Sequence, residues 1–595
     1  MNALIELFMR SMAEDYGKRR MKVMRKRILA CVLAATMVVG MTGCGGSNSA
    51  AGNDAAAAGA AEATEATEAT ASDDAAATEA TAVEGAASDL NVMIETAVES
   101  LDPQQATDGT SFEVIADFTD GLMQMDADGN PINALAESYE ISDDGTVYTF
   151  KIRDDANWSN GTPVTAADFV FAWQRAVDPA VASEYAYMLS DIGQVVNAEA
   201  IIAGEKDKSE LGVVAVDDKT LEVTLNVPVS YFLSLMYFPT FYPVNEEFFN
   251  SCGDTFATSP ETVLSNGAFV LDSYEPAATA FHFTKNNDYY DASKISLSGL
   301  AYQVIQDSQT ALMSYQTGAL DITLVNGDQV DQVKNDPEFT TIGAGYLWYV
   351  SPNIKEVPAL ANLNVRLALS NAINRVDVTS QLNDGSLPTY TAIPRDFASD
   401  FAADQEKYSD VCADDAAKAA DLWAQGLSEL GITDLTLEMV VDDDDAPKKV
   451  ATVLKSEWES ALPGLTVEIR TEPKKQRVMD LQEGNFELGL TRWGPDYDDP
   501  MTYLGMWVTD CSNNYGFWSN AEFDSILEEC TTGDLCTQLD ARRARLYDAE
   551  KIAMDDAVIF PIYTAAHATM VKANVTGIEF HPVALNRVFK NTVKK

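Results

Sequence analysis

The chain has 595 residues, 46% of them hydrophobic, and carries 92 acidic residues against 40 basic ones for a formal net charge of −52. That length exceeds what one hydrophobic core supports, so two or three lobes are expected. A charge of this sign and size repels phosphate backbones and excludes nucleic acid as a partner.

Lys22, Arg25, Lys26 and Arg27 precede an apolar run from Ile28 to Met41, about 14 residues long. Such a run is too short to span a bilayer and matches the hydrophobic region of a signal peptide, so residues 1–44 read as a signal segment with translation starting at Met21. The run ends at Met41-Thr42-Gly43-Cys44-Gly45, which resembles the bacterial lipobox, where cleavage leaves the cysteine first in the chain and lipidated. The alternative is an ordinary secretory signal in which Cys44 has no role. Residues 45–89 are low in complexity, with Glu-Ala-Thr repeating from Glu62 and almost no large apolar side chain. They cannot bury enough surface to offset ordering entropy and read as a disordered tether, with an Ala-rich helical spacer as the other option.

Of the 7 cysteines, Cys31 leaves with the signal and Cys44 takes lipid, leaving Cys252, Cys412, Cys511, Cys530 and Cys536 in the exported body. Cys530 and Cys536 flank Thr-Thr-Gly-Asp-Leu between two helical patterns and are the candidate pair for a local disulfide. No Cys/His spacing of the zinc type occurs, and no metal or other cofactor is expected.

The body opens with a strand at Asn91–Ile94 and a turn at Leu101-Asp102-Pro103. Phe112 to Met123 reads as a helix burying Phe112, Ile115, Ala116, Thr119 and Leu122. Asp126-Ala127-Asp128-Gly129-Asn130-Pro131 is turn chemistry and lacks the distal glutamate of a calcium loop. Two strands follow, at Tyr139–Ile141 and Val147–Ile152, joined through Asp143-Asp144-Gly145. Thr165 with Asp168 three residues on marks a helix start, and Phe169, Ala172, Trp173 and Ala176 give its buried face. A second buried stripe runs through Val365, Ala368, Leu369, Ala372 and Ile373. Asp442 to Asp445 reads as a solvated acidic loop.

Near the C-terminal end, Phe486, Leu488 and Leu490 alternate with Asn485, Glu487 and Gly489, and the strand breaks at Gly494-Pro495. The segment Thr491-Arg492-Trp493-Gly494-Pro495-Asp496-Tyr497-Asp498-Asp499-Pro500 thus places an indole, a sharp turn and a carboxylate together. That combination supplies contact area and an anion able to pair with a cation sealed from water; the plainer reading is an exposed acidic turn. No nucleophile elbow, phosphate loop or zinc-protease helix occurs, and the 3 histidines, His282, His567 and His581, are far apart, so no enzyme activity is expected.

The run Trp158-Ser159-Asn160-Gly161-Thr162-Pro163-Val164-Thr165-Ala166-Ala167-Asp168-Phe169-Val170 resembles the signature of the oligopeptide- and dipeptide-binding proteins of ABC importers, the family 5 solute-binding class. Leu101-Asp102-Pro103, Val216 to Leu225 with Pro228 and Tyr231-Phe232, Ser265-Asn266-Gly267-Ala268-Phe269, Asn364 to Arg375 and Phe560-Pro561-Ile562-Tyr563 resemble further motifs of that family in its order. The resemblance spans Leu90 to Lys595. It implies an α/β, two-lobed periplasmic-binding-protein-like fold of type II, enlarged by a small domain and hinged between lobes. Lobe I would comprise 90–118, 245–344 and 567–595, the small domain 119–244, and lobe II 345–566.

It further implies a monomeric lipoprotein, held through Cys44 to the extracellular or periplasmic face of the cell membrane, that captures short peptides between its lobes and delivers them to the permease subunits of an ABC importer. Trp493 and Asp496 stand where the family has a W-x-x-D turn whose aspartate pairs with a peptide's α-amino group, with Arg492 and Gly494 beside them. Asp108, Thr110 and Tyr185 fall where family members border or close the same pocket, and Trp348 lies in an aromatic run, Tyr346 to Tyr349, near the hinge. Some members carry a disulfide at the places of Gly345 and Gly494, so that link is missing here. Basic residues for the peptide carboxylate do not map cleanly; Arg492, Lys448 and Lys449 are the candidates. Relatives of the same fold bind oligosaccharides or nickel chelates, and a surface signalling or adhesion role is the remaining alternative.

Overall fold

The computed structural model describes residues 88–394, 397, 412–533 and 535–595; the signal segment, Cys44 and the tether up to residue 87 lie outside them. Among the described residues no helix is long and apolar enough to cross a membrane.

Most strands join one 11-stranded mixed sheet. Its order is Leu465–Glu472, Leu435–Asp442, Leu488–Trp493, Phe339–Pro352, Phe560–Val571, Ile322–Leu324, Leu90–Ile94, Gly299–Val304, Ala280–Lys285 and Phe269–Ser273, with Leu387–Pro388 paired beside Phe560–Val571. This is a two-lobed α/β fold in which two hydrophobic clusters stand out, the larger also taking in Leu347, Tyr497 and Trp507. One surrounds Trp423, Trp458, Leu488, Leu490 and Phe560, and the other surrounds Leu90, Val92, Phe112, Phe283 and Tyr302. A 4-stranded antiparallel sheet, Ala136–Ile141, Val147–Ile152, Thr220–Thr224 and Val213–Asp217, shares the second core.

The two lobes are bridged by the long strands Phe339–Pro352 and Phe560–Val571, which pair with each other from Phe339↔Met570 to Val350↔Phe560. Their register slips between Gly343↔Ala566 and Leu347↔Thr564, so Ala344, Gly345 and Tyr346 stand against Ala565 alone. Gly345 has φ +70°, and a Cβ there would lie 2.1 Å from the Pro582 carbonyl oxygen, so only glycine fits the bulge.

The sequence motifs earn their places as framework. Asp168 Oδ2 accepts from the Thr165 amide at 2.8 Å and from Trp158 Nε1 at 3.1 Å, fastening the loop to the start of helix Ala166–Val177. The buried Asp102 carboxylate pairs with Arg175 near the other end of that helix. Arg375, wholly buried, donates to the Pro561 carbonyl at 2.7 Å and to Asp414 at 2.7 Å, tying two distant motifs together.

Four expectations are corrected. The helix predicted over Phe112–Met123 is Gly109–Phe118, and Met123–Met125 is a strand. The chain turns there because Gly267 packs onto the helix end, where a Cβ would lie 2.7 Å from the Phe118 carbonyl carbon. The helix over Asn364–Arg375 stops at Asn371, and Arg375–Leu382 is a second helix capped by Asn374. Cys530 and Cys536 are both free thiols, and both are buried. Asp442 is not part of a solvated loop: it ends strand Leu435–Asp442, has no exposed surface and is paired with Arg477 at 2.6 Å.

Candidate functional site

The strand Leu488–Trp493 pairs along its whole length with Phe339–Pro352, from Pro352↔Leu488 to Leu347↔Trp493. On its other side only Leu488 and Gly489 have ladder partners, Met439 and Val440. The ladder stops because Arg477, 1% exposed, stands between the strands, bonded to the Asp442 carboxylate and to the Thr491 hydroxyl. Among the described residues, Leu490 to Trp493 therefore have no strand on that edge, which leaves main-chain groups for an added strand.

The open edge leads into the Gly494-Pro495 turn and Asp496. The Tyr346 ring lies against Gly494, where a Cβ would come within 2.5 Å of it. The Asp496 amide donates to Thr502 Oγ1 at 3.2 Å, and the Tyr187 hydroxyl donates to Asp496 Oδ2 at 3.1 Å. Asp496 keeps some exposure at the bottom of the crevice, yet protein surrounds it closely. Burial pushes its carboxyl up to about 7, against the opposing pull of the Tyr187 hydrogen bond. The Tyr185 hydroxyl is held well above its usual range, first by burial and then by the charges of Asp496 and Asp108 with Tyr346 beside them, so these groups share one space.

Asp108 caps helix Gly109–Phe118 through Oδ1, which accepts the Ser111 amide at 3.0 Å, while its Oδ2 is buried without a partner. Trp493 Nε1 is likewise buried without one. An unmet acceptor and an unmet donor in one crevice fit a polar ligand. Tyr185 packs edge-on to Phe112 at 5.2 Å and stacks on Phe238 at 5.5 Å. Thr110 shares a hydrogen bond with Thr96, Oγ1 to Oγ1 at 3.0 Å. The Arg492 guanidinium lies 5.0 Å over the Trp348 ring and 3.8 Å from the Asp442 carboxylate, which Arg477 already occupies. Trp348 itself is 5% exposed and stacked on Tyr563, so it supports Arg492 from the lobe core. Lys448 pairs with Asp445, and Lys449 reaches Asp328; both are taken by surface carboxylates.

Three residues here, Tyr187, Glu95 and Lys474, escaped the sequence, and a fourth, Tyr346, belongs to the aromatic run expected near the hinge. Tyr187 reaches Asp496, and Tyr346 floors the turn. Glu95 opens to the crevice, where burial pushes its carboxyl up against the pull of Arg587 and Arg492. Lys474 is pushed down by burial and by the neighbouring Arg492 and Arg477. Tyr187, Glu95 and Lys474 carry no local signal in the sequence.

Residues 130–515 match the family described as bacterial extracellular solute-binding proteins, family 5 Middle. The chain belongs to the family 5 extracellular solute-binding proteins. A relative named dipeptide-binding protein, from Lactococcus lactis, is 34% identical over 522 residues, covering 83% of this chain and 92% of its own. An Escherichia coli relative named probable deoxycholate-binding periplasmic protein YgiS is 33% identical over 486 residues, covering 81% and 89%. The solved structure of Listeria monocytogenes OppA bound to peptide matches with a TM-score of 0.74 at 34% identity, covering 86% of this chain and 99% of that one. Family 5 proteins are binding proteins for import, so this chain is not an enzyme, and its site is to be read as one that holds and releases a solute.

Proposed function

We propose that this family 5 binding protein captures short peptides in the crevice between its lobes, Asp496 accepting the peptide's α-ammonium. The observation that carries the reading is a carboxylate sunk at the end of an open strand edge. Peptide main chain adds to Leu490–Trp493 independently of side-chain identity, and the carboxylate fixes where the peptide begins. Trp493, Gly494, Asp108, Thr110 and Tyr185 border that first position, and Arg492, over Trp348, faces the other charged end. A bile-acid-like solute, suggested by the name of the Escherichia coli relative, has no use for a main-chain edge or a buried ammonium partner. Lobe I at 90–118, 245–344 and 567–595, the small domain at 119–244 and lobe II at 345–566 close over the peptide. Lipid on Cys44 and the tether hold the monomer beside an ABC permease, to which it delivers the peptide.

Calorimetry with a tripeptide and its N-acetylated form tests this. Asp496→Ala is expected to cost about 2 to 5 kcal/mol, because the ammonium stays buried without a partner. Equal binding of the acetylated peptide, or preference for a sugar or nickel chelate in the same assay, sinks the reading.

A further inference from the structure

The bond between Tyr187 and Asp496 joins residues 309 positions apart, one beside the 4-stranded sheet's helix and the other in the turn after the open edge. The tyrosine is held firmly. It precedes the π-helical turn Met188–Ile192, and its ring lies 5.5 Å from Tyr185, itself stacked on Phe238. Tyr187 occupies only Oδ2. No hydrogen bond to Oδ1 is present among the described residues.

We propose that Tyr187 is a positioning residue of the site: reaching across the crevice to Oδ2, it aims Oδ1 of Asp496 at the ligand's ammonium and couples capture to closure. The inference rests on the reading of Asp496 as the ammonium acceptor. A carboxylate free to rotate, or protonated, is a poor acceptor, and a donor fixed on one oxygen prevents both. The hydroxyl pulls the proton affinity of Asp496 down against burial. The other groups facing Asp496 are the hydroxyls of Tyr185, Tyr346 and Tyr497, all held above their usual range by burial, so they stay neutral donors through the same pH range.

The test is calorimetry of the wild type and Tyr187→Phe with a free-amine tripeptide between pH 6 and 9, repeated in an Asp496→Asn background. Tyr187→Phe is expected to weaken binding about 10-fold at pH 7, consistent with loss of one hydrogen bond to a charged group. The midpoint of the pH dependence should move upward, and the substitution should have no further effect once Asp496 is Asn. Unchanged or tighter binding at pH 7 overturns the proposal, since the hydroxyl would then be packing or competing with the ligand. An equal loss in the Asn background also overturns it. If the wild type takes N-acetylated peptide as well as the free amine, the reading of Asp496 falls first and this proposal with it.

Discussion

Asp496 carries two opposite pH effects that can be separated. In the ligand-free protein its carboxyl sits at about 7 because burial disfavours the charge. Folding therefore favours the protonated form: the stability this group contributes is present below about pH 4, the ordinary range of an aspartate, and is lost as pH rises through about 7. Peptide affinity runs the other way, since only the carboxylate pairs with an ammonium, and it should rise over the same range. The ligand-free melting temperature should thus fall between pH 5 and 8, and Asp496→Asn should flatten that slope while weakening the response to peptide. A slope that survives in Asp496→Asn would place the titration elsewhere. At this scale the sequence was legible where a motif fixed the position, as at Trp493 and Asp496. It was silent on Tyr187, because what matters about it is which distant residue it touches. It misled at Asp442, where neighbouring acids suggested water and the chain supplied Arg477.

Among the elements, the interrupted ladder between Leu435–Asp442 and Leu488–Trp493 matters most. Arg477 and Asp442 are 1% and 0% exposed, so each charge depends on the other. Asp442→Ala leaves a guanidinium buried unpaired and should cost about 3 to 5 kcal/mol in urea unfolding. A loss below about 1 kcal/mol would mean that the Thr491 hydroxyl and water suffice to hold Arg477. Elements with local chemistry were readable: Thr165 and Asp168 announce their helix, and the alternation after Phe486 announces a strand. The overrun past Phe118 was not, since the stop there comes from Gly267, a residue of another element. The strand end at Trp493 was legible, but its missing neighbour is a property of the whole sheet.

For the whole molecule, composition and motif order pointed to a two-lobed α/β body, and the family match and the solved relatives bear that out. The segment before residue 88 adds the cellular half of the proposal. Cys44→Ser should release the protein from membranes into the medium or periplasm and reduce peptide uptake by cells, with tripeptide affinity of the purified body unchanged. Membrane retention of that variant would remove the lipid from the account.

The paired crossing strands set how the halves can part. They are hydrogen-bonded to one another on both sides of Gly345, with one bulge where one holds three residues against one and a second register slip between Trp348 and Tyr349. A two-ply ribbon resists bending more than a single strand would, so parting of the halves would twist the joint and leave its rungs paired. On that geometry a captured solute would have only to bias a swing between the two arrangements, and need not drive it.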